Sequence, residues 1–172
     1  MDRAGIHLRP AAPEDAPLLR NWDEQPHVVA SDPNDDWNWE VELARSPVWR
    51  ELLIGELSGR PVGFLQIIDP QREESHYWGE VGPGKRAIDI WIGEAADLNR
   101  GYGGQMMRQA IHRCFAEPTV HSLLIDPLAD NHAAIRFYRR LGFRFLEFRV
   151  FGADLCAVHV LDRSTYRTGS GG

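Results

Sequence analysis

The chain predicts a mixed α/β fold, and three observations carry that expectation. Apolar residues alternate along several short runs, which read as strands, and recur at helical spacing along others. In order, the segments read strand, helix or helices, three strands, helix, strand, helix, two strands, which departs from strict βαβ alternation. The 172 residues are 43% hydrophobic and 26% charged, the balance of a globular chain with a single core. One domain is expected over residues 1–167, with Thr168-Gly169-Ser170-Gly171-Gly172 as a flexible tail.

Each element has a local reason. Ile6-His7-Leu8-Arg9 alternates and is stopped by Pro10, so it predicts a first strand. Pro13-Glu14-Asp15 opens a helix, because proline suits a first turn and acids suit the positive end of the helix dipole. Leu18, Leu19 and Trp22 form its buried face. Residues 26–39 read as a polar stretch, and 40–50 as a helix interrupted by Pro47. Residues 51–57 and 61–68 flank Ser58-Gly59-Arg60, which predicts a hairpin. Residues 69–85 are loop-like, and 86–93 form another strand. A helix is expected over 101–116, a strand over 121–126, and a helix over 131–141 stopped by Gly142. Two strands, 143–150 and 155–161, close the order around a turn at Gly152-Ala153-Asp154.

Composition narrows the function classes. The net charge is −6, with 16 acids and 8 bases in residues 1–85 but 9 acids and 11 bases in 86–172. An acidic chain without a basic patch is not expected to bind nucleic acid. The acidic front half suits a cationic ligand and the basic back half an anionic one. No apolar run reaches the ~18 residues of a membrane helix, and Met1-Asp2-Arg3-Ala4-Gly5 has no signal-peptide pattern, so a cytoplasmic location is expected. Cys114 and Cys156 form no CxxC pair and read as buried apolar residues. The seven histidines lack HExxH or HxH spacing, so no metal is expected.

The chemistry concentrates in two segments. Asp89-Ile90-Trp91-Ile92-Gly93 leads through Leu98-Asn99-Arg100-Gly101-Tyr102-Gly103-Gly104 into a helix. Glycines and a helix N-terminus expose backbone amides that suit a phosphate. A tight strand-to-helix connection explains the same glycines. The second segment, Asn131 to Phe143, carries Asn-x-x-Ala-x-x-x-Tyr-x-x-x-Gly-Phe. With it the chain resembles the GNAT superfamily of acetyl-coenzyme A-dependent N-acetyltransferases. Gly101 and Gly103 match that family's pyrophosphate loop, whereas Leu98 stands where Gln or Arg is usual. Within the superfamily the resemblance is closest to aminoglycoside 6'-N-acetyltransferases. It rests on Tyr77-Trp78-Gly79-Glu80, on Gly82-Pro83-Gly84-Lys85-Arg86-Ala87-Ile88-Asp89, and on Ile125-Asp126-Pro127.

The resemblance implies a central, mostly antiparallel sheet splayed at the coenzyme site and flanked by helices. It implies acetyl-CoA as acetyl donor and direct attack of an amine on its thioester. Asp89 is implied to bind or deprotonate the amine, Asp126 to grip or deprotonate it, and Tyr138 to protonate the departing thiolate. Ile90, Trp91 and Ile92 are implied to pair with the pantetheine arm through their backbones. Asn99, Arg100, Gly101, Tyr102, Gly103, Gly104 and Gln105 would hold the pyrophosphate, with Asn131 and Ala134 beside the arm. Tyr77, Trp78, Glu80 and Asp154 are substrate-pocket candidates. An aminoglycoside or other polyamine is the expected substrate, on a monomer or homodimer without nucleic-acid or membrane partners. Siderophore-building, other small-molecule and protein N-acyltransferases, and a non-catalytic coenzyme-binding module, are the alternatives.

Overall fold

The computed structural model describes residues 5–169. The tail expected over 168–172 lies outside the described residues from Ser170 on, while Gly169 closes a final helix. Seven strands hydrogen-bond in a mixed sheet, in the order β1-β2-β3-β4-β5-β7-β6. They are β1 (Ile6–Pro10), β2 (Arg50–Leu57), β3 (Arg60–Ile68), β4 (Lys85–Ile92), β5 (Ser122–Ile125), β6 (Arg144–Phe151) and β7 (Asp154–Asp162). Six helices are α1 (Ala16–Asp23), α2 (Pro26–Ser31), α3 (Trp39–Leu43), α4 (Tyr102–Ala116), α5 (His132–Arg140) and α6 (Arg163–Gly169). The chain forms two compact units: residues up to Ile67 with Asp89–Gln109, and Ile68–Ile88 with the chain from Ala110 on.

In the first unit β1 pairs antiparallel with β2, from Ile6↔Leu57 to Pro10↔Leu53. β2 turns into β3 through Ser58 and Gly59, whose φ angles of 50° and 81° are both left-handed. That conformation matches the twist of a tight hairpin, and it explains the glycine. Asp15 organises the entry to α1. Its carboxylate accepts from the Ala12 amide at 2.7 Å and grips Arg9 through two bonds of 2.8 Å. Leu19, Trp22, Trp39, Ile54 and Phe64 form a core with no exposed surface.

The segment expected to be polar over 26–39 contains α2 and the start of α3. Pro26 occupies the first position of α2, where its missing amide costs nothing, and Val28 is buried. The helix expected over 40–50 stops at Leu43 instead. Arg50 already belongs to β2, so Pro47 lies in the connection rather than in a helix.

In the second unit the first three residues of β4 run parallel to β5, from Lys85↔Ser122 to Ala87↔Leu124. β5 and β6 both pair antiparallel with β7. Every residue of β5 is buried, consistent with its unbroken apolar run. Trp78, Ala87, Leu124, Phe151, Val158 and Val160 share one core cluster. Cys114 and Cys156 are free and buried, as their surroundings predicted. The helix α6 was not expected. Arg163 ties it down by donating to the carbonyls of Val120, Phe115 and Glu117 at 2.8–2.9 Å. Among the described residues, no helix is long and apolar enough to cross a membrane.

Candidate active site

In the first unit, strand geometry places Asp89 half-buried on β4. Its Oδ2 accepts a hydrogen bond of 2.6 Å from Nε2 of Gln66 on β3. Gln66 is 7% exposed, so the bond is shielded from competing water on the glutamine side. Sequence reading missed Gln66. It lies 23 positions before Asp89, and only strand pairing brings the two together.

Ile90, Trp91 and Ile92 follow on the same strand and are all half-buried. Trp91 packs against Phe64, with ring centroids 4.4 Å apart, and edge-on to Trp37 and Trp39. Trp37 and Trp39 stack in parallel at 4.4 Å. Each indole donates to a carboxylate: Trp37 to Asp35, and Trp39 to Asp23 at 2.6 Å. Burial pushes the Asp23 carboxyl above its ordinary value, and the nearby Asp35 and Glu24 charges add to the rise. The Ile92 carbonyl is already engaged. Nε2 of His27 on α2 lies 2.7 Å from it, and a carbonyl partner requires that nitrogen to carry the proton. Neither Gln66 nor His27 belongs to a recognisable motif.

The glycine-rich connection adopts the backbone its sequence requires. Asn99 and Gly101 have φ angles of 59° and 83°, and α4 begins at Tyr102. The first amides of a helix lack intrahelical partners, so this turn presents donors to an anion. Arg100 donates from Nε to the Ala96 carbonyl at 2.8 Å, and its side chain is exposed. Gln105 has a structural tie, because its Oε1 accepts from the Ile6 amide at 3.0 Å. Gly103 and Gly104 lie in the first turn of α4.

In the second unit Asp126 follows β5 directly and is half-buried. Tyr77 donates its hydroxyl proton to Asp126 Oδ2 at 2.5 Å. The Tyr77 ring stacks on Phe151 at 4.5 Å. Trp78 turns the other way and is 4% exposed within the core cluster, while Glu80 is exposed. A single acid organises this loop. Glu73, 8% exposed, accepts from the Ser75 amide at 2.7 Å, the Ser75 hydroxyl at 2.8 Å and the Tyr77 amide at 3.0 Å. Burial alone would raise the Glu73 carboxyl, but these hydrogen bonds outweigh it and hold the group below its ordinary value. In sequence Glu73 is one of two adjacent acids in the loop-like stretch 69–85; the loop buries it because three donors converge there.

Asn131 caps α5, its Oδ1 accepting from the Ala134 amide at 3.2 Å. The spacing of Asn131 and Ala134 thus has a local cause in helix capping. Tyr138 is 8% exposed and packs against Phe137 and Phe143. Asp154 begins β7 opposite Phe151. No cluster of three or more metal-ligating side chains occurs among the described residues.

The structure thus contains a strand feeding a glycine-rich turn and helix, and a capped helix with a buried tyrosine, the two arrangements that the sequence motifs called for. Residues 11–151 match the model of the acetyltransferase (GNAT) domain, and the chain belongs to this family. The chain is 29% identical over 154 residues to aminoglycoside N(6')-acetyltransferase type 1 of Klebsiella pneumoniae, covering 80% of this chain and 73% of that protein. It is 25% identical over 144 residues to lysine N-acyltransferase MbtK of Mycobacterium tuberculosis, covering 81% and 69%. The fold matches the crystal structure of aminoglycoside acetyltransferase AAC(6')-Ib in complex with coenzyme A and kanamycin. The TM-score is 0.86 at 24% identity, over 97% of this chain and all of that one. Both the family and the mixed fold expected from the two motifs are therefore borne out.

Proposed function

We propose that the protein transfers the acetyl group of acetyl-CoA to the 6'-amine of an aminoglycoside by direct attack on the thioester. The observation that carries this reading is Asp89, a half-buried carboxylate on β4 fixed at 2.6 Å by a buried amide. A carboxylate so held attracts an ammonium ion, then accepts the proton that frees the amine's lone pair. The amine nitrogen bonds to the acetyl carbon as the carbon–sulfur bond breaks. Asp89 passes that first proton to water before attack; Tyr138 then supplies the proton to the departing sulfur, and the second proton on nitrogen passes to the regenerated Asp89 carboxylate directly or through water, while solvent returns a proton to Tyr138. Asp126, with Tyr77 on one oxygen, offers a second anchor for a substrate amine.

The donor is held by backbone groups. The turn and first turn of α4, from Asn99 to Gln105, suit the pyrophosphate, although Gln105 spends its own amide on the Gly101 carbonyl at 3.2 Å, and Arg100 is an added cation. Ile90, Trp91 and Ile92 suit the pantetheine arm as an added strand. With the Ile92 carbonyl bonded to His27, that pairing uses the Ile92 amide and the groups of Ile90. Asn131 and Ala134 flank the arm, and Tyr77, Glu80 and Asp154 complete the acceptor side, while Trp78, buried in the core cluster, supports Tyr77 from behind. Similarity to the Klebsiella pneumoniae enzyme supports the aminoglycoside acceptor. Similarity to MbtK supports a second reading, with a lysine amine as acceptor.

Release of free thiol from acetyl-CoA tests both readings. Turnover is expected with aminoglycosides bearing a 6'-amine and not with 6'-hydroxy counterparts. Activity confined to lysine or its hydroxylamine derivative would establish the second reading and discard the first.

A further inference from the structure

β1 begins the sheet order, so among the described residues no strand pairs with its outer side. At Ile6 the helix α4 takes that place. Gln105 Oε1 accepts from the Ile6 amide at 3.0 Å, and Gln109 donates from Nε2 to the Ile6 carbonyl at 2.7 Å. Residues four apart lie one above the other on a helix face, so both glutamines reach the same point of β1. One carboxamide supplies its oxygen and the other its nitrogen, and together they act as the peptide unit of an added strand. This pair fixes where α4 stands along β1.

Met106, between them in sequence, has no exposed surface. It packs on two glycines, Gly55 of β2 and Gly63 of β3. A Cβ added at Gly55 would sit 2.8 Å from the Met106 sulfur, and one at Gly63 would sit 2.9 Å from it. Neither glycine has a left-handed φ, so backbone conformation requires neither. Glycine weakens a strand interior, and what these two supply is room for α4 to approach the sheet. Gly63 serves twice, because its added Cβ would also sit 2.8 Å from the Trp91 carbonyl of β4. One socket therefore sets both the depth of α4 and the approach of the strand that carries Asp89. Met106 directly follows Gln105, where the turn suited to pyrophosphate ends. A donor of fixed length has to span from that turn to Asp89, so a shift of α4 moves the thioester away from the amine.

We propose that Met106 and Gln109, with the side chain of Gln105, are positioning residues for the donor, setting the reach from the pyrophosphate turn to Asp89. This role rests on the pyrophosphate reading of residues 99–105, and a comparison of two donors separates the two claims. S-acetylpantetheine has the thioester and the arm but no pyrophosphate. Gln109→Met keeps the side-chain length and helix preference and loses the N–H donor. It is expected to lower kcat/KM for acetyl-CoA about 10-fold and to raise the Kd of coenzyme A, read by calorimetry without an acceptor, by a similar factor. The KM of the amine acceptor and kcat/KM for S-acetylpantetheine are expected to stay unchanged. Gly55→Ala, which presses on Met106, is expected to show the same split between donors. A loss as large on S-acetylpantetheine as on acetyl-CoA overturns the proposal, because it reports a general loosening of the fold. So do coenzyme A affinity and acetyl-CoA turnover that Gln109→Met leaves unchanged. A wild-type protein that uses S-acetylpantetheine as well as acetyl-CoA removes the pyrophosphate site itself, and this role with it.

Discussion

Gln66 fixes one oxygen of Asp89 and so decides where that carboxylate points. Asp89→Asn is expected to lower kcat about 10²–10⁴-fold while coenzyme A binding, read by calorimetry, stays unchanged. Gln66→Leu is expected to lower kcat/KM about 10- to 100-fold, since a misdirected base loses positioning rather than chemistry. In an Asp89→Asn background Gln66→Leu should add little; a full additive loss would separate the two residues. Asp89, Asp126 and Tyr138 could be singled out in sequence because each sits in a run that resembles a family motif. Gln66 and His27 could not, because what singles them out is a partner 23 or 65 positions away. Glu73 was hidden for a different reason: one of two adjacent acids in a polar loop looks like any solvated charge until its donors are placed.

Elements record the same contrast between local and distant causes. Strands β1, β3, β4 and β7 and helices α4 and α5 were legible from alternation, helical spacing and their stops. α2 was not, because six residues with one buried side chain carry no periodicity to read. Tight packing between elements is equally silent in sequence. A Cβ added at Gly93, just after β4, would sit 2.0 Å from the Trp22 ring of α1, and Trp22 has no exposed surface into which to retreat. Gly93→Ala is therefore expected to destabilise the protein by roughly 1–3 kcal/mol in urea unfolding. The Glu73 loop and the Asp23–Trp39 pair respond oppositely to acid. Glu73 has its folded value lowered, so its contribution is present above its ordinary 4.5 and is lost as pH falls through the lowered value. Asp23 has its folded value raised, so its charge opposes folding at neutral pH, and this penalty is gone below its ordinary 3.8. Asp23→Asn, which keeps an acceptor for Trp39, is expected to raise Tm at about pH 7 and leave it unchanged at about pH 3. Glu73→Gln is expected to lower Tm at about pH 7, an effect that shrinks as acid removes the wild-type charge.

At the scale of the whole molecule, charge is the property that composition reported first. An excess of 8 negative charges in residues 1–85 favours the approach of a polycation over an anionic acceptor. The proposed acceptor carries several ammonium groups, so its KM should rise several-fold between about 50 and 500 mM salt, while kcat changes little. A KM indifferent to salt would remove long-range attraction from the account. The uneven charge was legible in full from composition, but not its partial neutralisation. Arg9, Arg50 and Arg60 spend their charge on Asp15, Glu42 and Asp97 rather than on a ligand.

The stacked indoles of Trp37 and Trp39, with Trp91 edge-on to both, also have an optical consequence. Chromophores this close share excitation, so a change at one is felt in the emission of all three. Trp91 lies on the same strand as Asp89, and Trp37 is half-buried rather than sealed in the core. The protein thus contains its own spectroscopic reporter: an aromatic or charged molecule arriving beside β4 shifts or quenches ultraviolet fluorescence with no label attached.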